Sequence, residues 1–187
     1  MDLIILRPGK SDIIGKTSST YIDNIASEKF ESDPMFNFDK CLELVSIHQG
    51  MKQQITTDVS NKARTSGRPV ITEFTCVKYV DQTSVKLYDY CLRAETLGSG
   101  KDQPTMLHIA RNTGSRAGNI MTFALRDAII SEIQFQSHPN DMPTEQFKLN
   151  FTEILWTYTI QDVDMSTPGS VQAGWSIMHN RPIGVFT

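Results

Sequence analysis

The stretch Ile71–Leu92, ITEFTCVKYVDQTSVKLYDYCL, decides the fold, because it changes from strand character to helix character within a few residues. Its first half lies in the segment 69–80, whose β-branched and aromatic residues predict a strand. Asp81 and the polar residues after it are typical of a helix N-terminus. Apolar residues then recur at helical spacing, namely Val85, Tyr88, Cys91 and Leu92. The run Gly98-Ser99-Gly100 is expected to end this helix.

Outward from this stretch, the rest of the chain is dominated by strand patterns joined by turns. The segment TTDVSNKARTSGR, at about 56–68, predicts an extended polar loop, and 112–118 predicts a hairpin turn. The predicted fold is mainly β, a two-sheet antiparallel β-barrel with one flanking α-helix. All 187 residues form one domain in this prediction, with a long loop at about 8–40. The other strands are predicted at 2–7, 41–55, 105–111, 119–127, 128–136, 147–160 and 172–179.

Composition excludes several classes of partner. The formal charge is −3 and no basic run occurs, so the phosphate-neutralising contacts that dominate nucleic-acid affinity are missing. No stretch approaches the roughly 20 apolar residues of a membrane-spanning helix. The N-terminus lacks the charge and apolar run of a cleavable signal peptide, so we expect a protein made in the cytoplasm. Three widely spaced cysteines, Cys41, Cys76 and Cys91, are expected to be reduced thiols.

Catalytic patterns are weak throughout the sequence. The four histidines fall in different predicted elements and show no metal-ligand spacing: His48, His108, His138 and His179. Gly98-Ser99-Gly100-Lys101 lacks the earlier glycine of a phosphate-binding loop, and Asp102 replaces the Ser or Thr that should follow the lysine. No GxSxG turn occurs. The sequence therefore predicts no enzyme activity, no metal and no cofactor.

One strand carries large side chains on both faces. Phe147, Leu149 and Phe151 alternate with polar residues, as expected for a strand covered on one side. Beyond them the alternation is lost, and large residues follow on both faces: Ile154, Leu155, Trp156, Tyr158 and Ile160. In one interpretation this end lies under the helix or the long N-terminal segment. In the other, Trp156 and Tyr158 meet a neighbouring subunit, since Trp and Tyr are favoured at interfaces.

The order of these segments resembles the haemolysin-coregulated proteins (Hcp), the tube subunits of bacterial type VI secretion systems. The most specific likeness is the strand ending in Lys78 and Asp81, followed by Ser84 and the pair Leu87-Tyr88. Only the segment from about 17 to 40 departs from the family, being longer and more aromatic. Similar segments occur in family order at 3–6, 13–16, 42–46, 66–69, 121–133, 147–158 and 169–176.

The resemblance implies a structural protein without cofactor or catalytic residues. Six copies would form a ring with an open pore, and the rings would stack into an inner tube. Sheath, spike and baseplate proteins would be its partners, with effectors in the pore. The tube would leave the cell through the machine, in virulence or interbacterial competition.

The polar loop resembles the extended loop of the family, and its charged residues are candidates for ring stacking: Asp58, Lys62, Arg64 and Arg68. Two alternatives stay open. One is a tail-tube protein of a phage or tailocin, and the other is a monomeric β-barrel carrier of a small ligand, whose interior would be lined by apolar groups.

Overall fold

Antiparallel strands make up most of the molecule. The computed structural model describes residues 2–10, 13, 41–58, 63–112, 117–160 and 169–187, so most of the predicted 8–40 loop lies outside the described residues. One helix, α1 (Ser84–Arg93), stands among them. In chain order the strands are β1 (Asp2–Arg7), β2 (Leu42–Leu44), β3 (Ser46–His48), β4 (Met51–Lys52), β5 (Ile55–Asp58), β6 (Ala63–Ser66), β7 (Val70–Ile71), β8 (Phe74–Tyr79), β9 (Thr105–Asn112), β10 (Ala117–Arg126), β11 (Ile129–Gln136), β12 (Thr144–Asn150), β13 (Glu153–Ile160), β14 (Gly169–Ser176) and β15 (Arg181–Ile183).

The strands form two main sheets. The seven-stranded sheet has the order β15-β14-β13-β10-β9-β1-β2, and the four-stranded sheet has the order β11-β12-β8-β3. All of their pairings are antiparallel. Two short ribbons, β4 with β7 and β5 with β6, complete the pairing. The mainly β prediction with a single helix is confirmed, although the described strands form two separate sheets rather than one closed barrel.

Two corners carry the chain from one sheet to the other. The segment 147–160, predicted as one strand, divides at Phe151-Thr152 between β12 and β13. Beside it, β10 passes into β11 through Asp127, which has a positive φ of 50°. The Thr152 N–H donates to the Arg126 carbonyl (3.1 Å) and joins the two turns. The segment 147–160 passes from one sheet to the other at this corner. This passage explains why its large side chains change faces along the segment.

The predicted strand 41–55 is likewise divided, into β2, β3 and β4. β2 pairs with β1 in the seven-stranded sheet, whereas β3 pairs with β8 in the four-stranded sheet. Between them the Val45 N–H already donates to the Val77 carbonyl (2.7 Å). The passage from β2 to β3 therefore links an edge of the seven-stranded sheet to an edge of the four-stranded sheet.

The core lies between the facing sides of the two sheets and α1. Cross-strand partners place apolar side chains there at every second position, the period of a strand. The Phe74 ring meets Phe123 edge-on at a centroid distance of 5.1 Å and Phe151 at 6.0 Å. Side chains of the main core include Leu6, Leu42, Phe74, Leu87, Leu107, Leu125, Phe147, Leu149 and Ile154.

Local hydrogen bonds define the first and last residues of the helix. The Asp81 carboxylate accepts from the N–H of Thr83 (2.7 Å), and this satisfies a donor just before the helix. At the other end Ala94 adopts a left-handed conformation with φ 51°, and Glu95 N–H donates to the Tyr90 carbonyl (3.0 Å). The helix thus ends before the glycines at 98–100, which the sequence had indicated as its stop.

Candidate functional site

The outward face of the four-stranded sheet is almost entirely polar. Its inward positions are apolar or engaged in the core, as the buried Phe74, Cys76, Phe147 and Leu149 show. Val77, Tyr79 and Ile129 are the exceptions among the outward positions. The polar outward side chains, assigned from the strand register, are Ser46, His48, Thr75, Glu132, Gln134, Gln136, Thr144, Gln146, Lys148 and Asn150.

Hydrogen bonds connect the side chains of this polar face. The Glu73 carboxylate accepts from Asn150 Nδ2 (2.8 Å) and from the Ser131 hydroxyl (2.9 Å), which lies at a bulge of β11. Lys148 forms an ion pair with Glu132 on the neighbouring strand. The hydrogen bond between them lowers the pKa of Glu132 and raises that of Lys148. Within the described residues, this face therefore has no apolar cover, and its polar side chains bind one another.

Among the described residues, no further strand pairs along either edge of the four-stranded sheet over most of its length. Among the described residues, the outer edge of β11 is paired only near its start, where Thr96 bridges to Ile129 and Leu97 N–H donates to the Ala128 carbonyl (2.8 Å). β3 forms the opposite edge. Phe135, near the end of β11, is 60% exposed. An open strand edge offers unpaired N–H and C=O groups to another chain.

The predicted polar loop is a two-stranded hairpin rather than an irregular loop. β5 and β6 pair from Ile55–Ser66 to Asp58–Ala63, and we call residues 55–66 the arm. At its base the Gly67 N–H donates to the Gln54 carbonyl (2.8 Å). The β4–β7 ribbon then joins the arm to the four-stranded sheet.

Three of the four candidate stacking residues lie in the arm or at its base. Asp58 ends β5 and Arg64 lies in β6, whereas Lys62 is outside the described residues. Arg68 follows the arm directly, and its Nη2 donates to the Ile177 carbonyl (2.7 Å). The arm therefore carries Asp58 and Arg64 away from the base, while Arg68 contacts the turn between β14 and β15.

Trp156 and Tyr158 lie on the same face of β13 but in different surroundings. Trp156 pairs with Phe123 and packs against the main core. Tyr158, two residues further, is 49% exposed and pairs with Val171, which is 62% exposed. Ile160 continues the same face and is also exposed. The core-facing side of the seven-stranded sheet thus ends in an exposed apolar patch, formed by Tyr158, Ile160 and Val171.

A buried charged cluster lies beside the N-terminus of α1. Lys78 Nζ donates to the Glu145 carboxylate (2.9 Å) and to the Tyr79 carbonyl (2.8 Å), and the side chains of Lys78 and Glu145 are 1% and 0% exposed. The Ser84 hydroxyl also donates to Glu145 (2.9 Å). Burial and the neighbouring Glu145 raise the pKa of Tyr88 to about 12. Glu145 had gone unnoticed in the sequence, although its two-residue spacing from Phe147 and Leu149 places it on the core face.

The cluster ties α1 to the four-stranded sheet rather than forming an active site. A lysine beside a serine hydroxyl is an arrangement that some nucleophilic enzymes use, and Lys78 Nζ lies 3.3 Å from Ser84 Oγ. Both side chains are buried, however, so a substrate cannot reach the hydroxyl. In the part of the chain that the structure describes, no group of His, Cys, Asp and Glu side chains is arranged to hold a metal ion.

A second buried carboxylate, Glu153, lies at the corner between the sheets. It accepts from Arg126 Nη1 (3.0 Å) and from the Thr187 N–H (3.0 Å). Burial alone raises the pKa of Glu153, but hydrogen bonds from Thr187, Arg126 and Ser176 outweigh it and lower the pKa to about 2. A cavity of about 280 Å³ opens here, lined by Arg126, Asp127, Thr152, Glu153, Met178, His179 and Thr187.

Because Glu153 has a lowered pKa, the free energy of unfolding is expected to decrease as the pH falls through the acidic range. Because its folded pKa is below the unfolded value of about 4.3, the carboxylate stabilises the fold above that pH, and this contribution is lost as the pH falls towards 2. We expect Glu153→Gln to be less stable than wild type at pH 7, with a gap that narrows below about pH 4.3. Urea unfolding across this range measures the gap, and a constant gap would rule out this role.

The histidines and cysteines occupy separate places. His108 is buried and its Nδ1 lies 3.1 Å from the Thr122 hydroxyl, while burial and the nearby Arg7 lower its pKa to about 4. Cys41 and Cys76 are buried, and Cys91 is half-buried. All three are free thiols, as predicted.

No helix in the described ranges is both long and apolar enough to span a membrane.

Comparison with known proteins gives a consistent result. The model of the family described as type VI secretion system effector, Hcp, matches residues 36–158. A solved structure described as a type six secretion system protein aligns with a TM-score of 0.73 at 17% identity, covering 98% of this chain and 100% of that one. No curated protein sequence gives a significant match.

Two further solved structures are similar over most of the chain. Hcp1 from Salmonella typhimurium aligns with a TM-score of 0.66 at 16% identity, covering 97% of this chain and 99% of that one. The secreted protein Hcp3 from Pseudomonas aeruginosa gives 0.53 at 14% identity, covering 91% and 95%. At these identities the structural likeness establishes the fold.

Proposed function

Because this chain belongs to the Hcp family of type VI secretion systems, we propose that it is the subunit of an inner tube, built from six-membered rings that stack. The observation that carries the proposal is the four-stranded sheet, which combines a polar outward face with two edges that the described strands leave largely unpaired. Such a sheet suits a closed ring in which one face stays hydrated and both edges meet neighbours.

The polar face is the surface that we assign to the wall of the central pore. A face without apolar cover needs water on it, whereas the seven-stranded sheet has buried residues on both sides, such as Ile5 and Leu6 on consecutive positions. Hydroxyl, amide and paired charged groups there would give an effector in the pore many weak polar contacts. Expulsion of a tube with its effectors requires contacts that also release.

The two edges are different, and this favours a ring over a two-fold dimer. β11 has eight residues, whereas β3 has three and is followed by the β4–β7 ribbon. Contact of one edge with the other edge of a second copy is heterologous, and such contacts close into a ring when the rotation per subunit allows. Native mass spectrometry tests this proposal, with an expected species of six times the 21.1 kDa chain mass. Monomer alone at every concentration would contradict it.

Tyr158 is proposed as part of the subunit interface, with Trp156 as its partly buried support. The patch of Tyr158, Ile160 and Val171 exposes apolar surface that a neighbouring subunit would remove from water. We expect Tyr158→Asp to shift the native mass distribution from hexamer towards monomer while the fold is kept. As a control, Tyr79→Asp changes an equally exposed tyrosine on the polar face and should leave the hexamer intact.

The arm and its base are proposed as the element on which ring stacking depends, with Asp58, Lys62, Arg64 and Arg68 as the residues involved. A hairpin that belongs to neither main sheet could reach an adjacent ring, and its charged residues could form ion pairs there. We expect the double variant Arg64→Asp/Arg68→Asp to form rings but few tubes, as measured by electron microscopy. Tubes as long as those of wild type would remove the arm from the stacking contact.

The remaining partners follow from the same proposal. A tube subunit would contact sheath, spike and baseplate proteins and carry effectors, and it would be made in the cytoplasm and secreted by the machine. Its role would be structural, with no enzyme activity. The main core is filled by side chains such as Phe74, Phe123 and Phe147, which disfavours the alternative of a small-ligand carrier with an open interior.

A further inference from the structure

The arm forms a two-stranded sheet of its own and is paired with neither main sheet. At its base, two hydrogen bonds join the two chain segments of the arm to each other: Gly67 N–H donates to the Gln54 carbonyl, and Gln53 Nε2 donates to the Gly67 carbonyl. The β4–β7 ribbon contributes only two pairs of residues. An isolated two-stranded hairpin is marginally stable in water. The direction of the arm therefore needs support from another part of the molecule.

Arg68 supplies a contact of this kind. Its Nη2 donates to the Ile177 carbonyl at 2.7 Å, across 109 positions of the sequence. Ile177 is itself fixed, since it packs against the main core and its N–H donates to the Thr152 carbonyl (3.0 Å). The guanidinium thus connects the base of the arm to the rigid corner between the two sheets.

We propose that Arg68 is a positioning residue: it holds the arm at a set angle to the body by binding the Ile177 carbonyl, and it is not itself a contact to the next ring. The inference rests on the proposed stacking role of the arm and assigns different roles to its charged residues and to Arg68. Asp58, Lys62 and Arg64 would meet the adjacent ring, whereas Arg68 would orient them beforehand. Orienting the arm before contact reduces the entropy lost when rings stack.

Hydrogen exchange in unstacked protein separates positioning from direct contact. Amides of β5 and β6 should exchange about threefold to tenfold faster in Arg68→Met and in Arg68→Gln than in wild type, as expected when one charge-assisted hydrogen bond is lost. Arg68→Lys, which keeps a charged donor, should lie between them and wild type. Arg181→Met is the matched control, because it removes an exposed arginine from β15, and it should leave exchange in the arm unchanged.

The experiment distinguishes a failure of the Arg68 inference from a failure of the tube proposal. If Arg68→Met exchanges like wild type in the arm and yet loses stacking, Arg68 contacts the next ring directly and the inference is overturned. If wild type forms no rings at all, the tube proposal fails, while faster exchange in Arg68→Met would still establish the positioning contact. Unchanged exchange in all Arg68 variants would show that the base holds the arm without Arg68.

Discussion

A Lys78→Met variant is expected to lose about 3–5 kcal/mol of unfolding free energy, which is the usual cost of leaving one partner of a buried ion pair without the other. Glu145 would stay in the core without its lysine partner, with the Ser84 hydroxyl and the nearby Tyr88 beside it. The loss should also loosen α1, because Lys78 joins the sheet to Asp81 (3.1 Å) at the start of the helix. Urea unfolding followed by circular dichroism measures this loss.

The surface pair between Lys148 and Glu132 provides a matched control. Lys148→Met removes the same charge from the outward face of the neighbouring strand, where water replaces the lost partner. Its unfolding midpoint should stay close to that of wild type. The double variant Lys78→Met/Glu145→Leu should regain part of the stability, since no charge then remains buried. Equal losses in Lys78→Met and Lys148→Met would contradict a structural role for the buried cluster.

Gly98→Ala is expected to destabilise the protein by about 2–4 kcal/mol, through overpacking of backbone against backbone. A Cβ at this position would overlap the Gln103 carbonyl oxygen and lie 2.8 Å from Cα of Gly9. Three chain segments cross here, and none of the atoms that are met belongs to a flexible side chain. Thermal unfolding measures the effect.

Gly169→Ala is the control for this substitution, because a Cβ at Gly169 meets no atom within 4 Å. That variant should unfold near the wild-type temperature. A Gly98→Ala protein as stable as Gly169→Ala would show that the crossing of the three segments can open without cost.

Local patterns predicted the helix and most strands because those elements depend on neighbouring residues. The spacing of Val85, Tyr88, Cys91 and Leu92 places α1 correctly. The end of the helix was missed because Ala94 adopts a left-handed conformation, which alanine seldom does and which no sequence signal marks. The prediction of one strand over 147–160 failed because apolar residues continue through Phe151, so the change of sheet leaves no gap in the pattern.

The candidate site depends on contacts between distant residues, which a single sequence does not reveal. The alternation in β12 could have indicated the polar face, since Thr144, Gln146, Lys148 and Asn150 occupy every second position. The pairing of Lys78 with Glu145 joins two strands that are far apart in sequence, and so does the contact of Arg68 with Ile177. The resemblance of the loop indicated Arg68 as a candidate for ring stacking, whereas the structure shows its hydrogen bond to Ile177 within the same chain.

Electron microscopy of the purified wild-type protein tests the ring proposal most directly. Class averages should show six-fold rings with an open centre, and at high concentration the rings should stack into tubes. Six-fold rings would establish the subunit arrangement and would direct attention to the polar face as the pore wall. A uniform population of single subunits, with no rings at any concentration, would contradict the proposal that this chain builds the tube by itself.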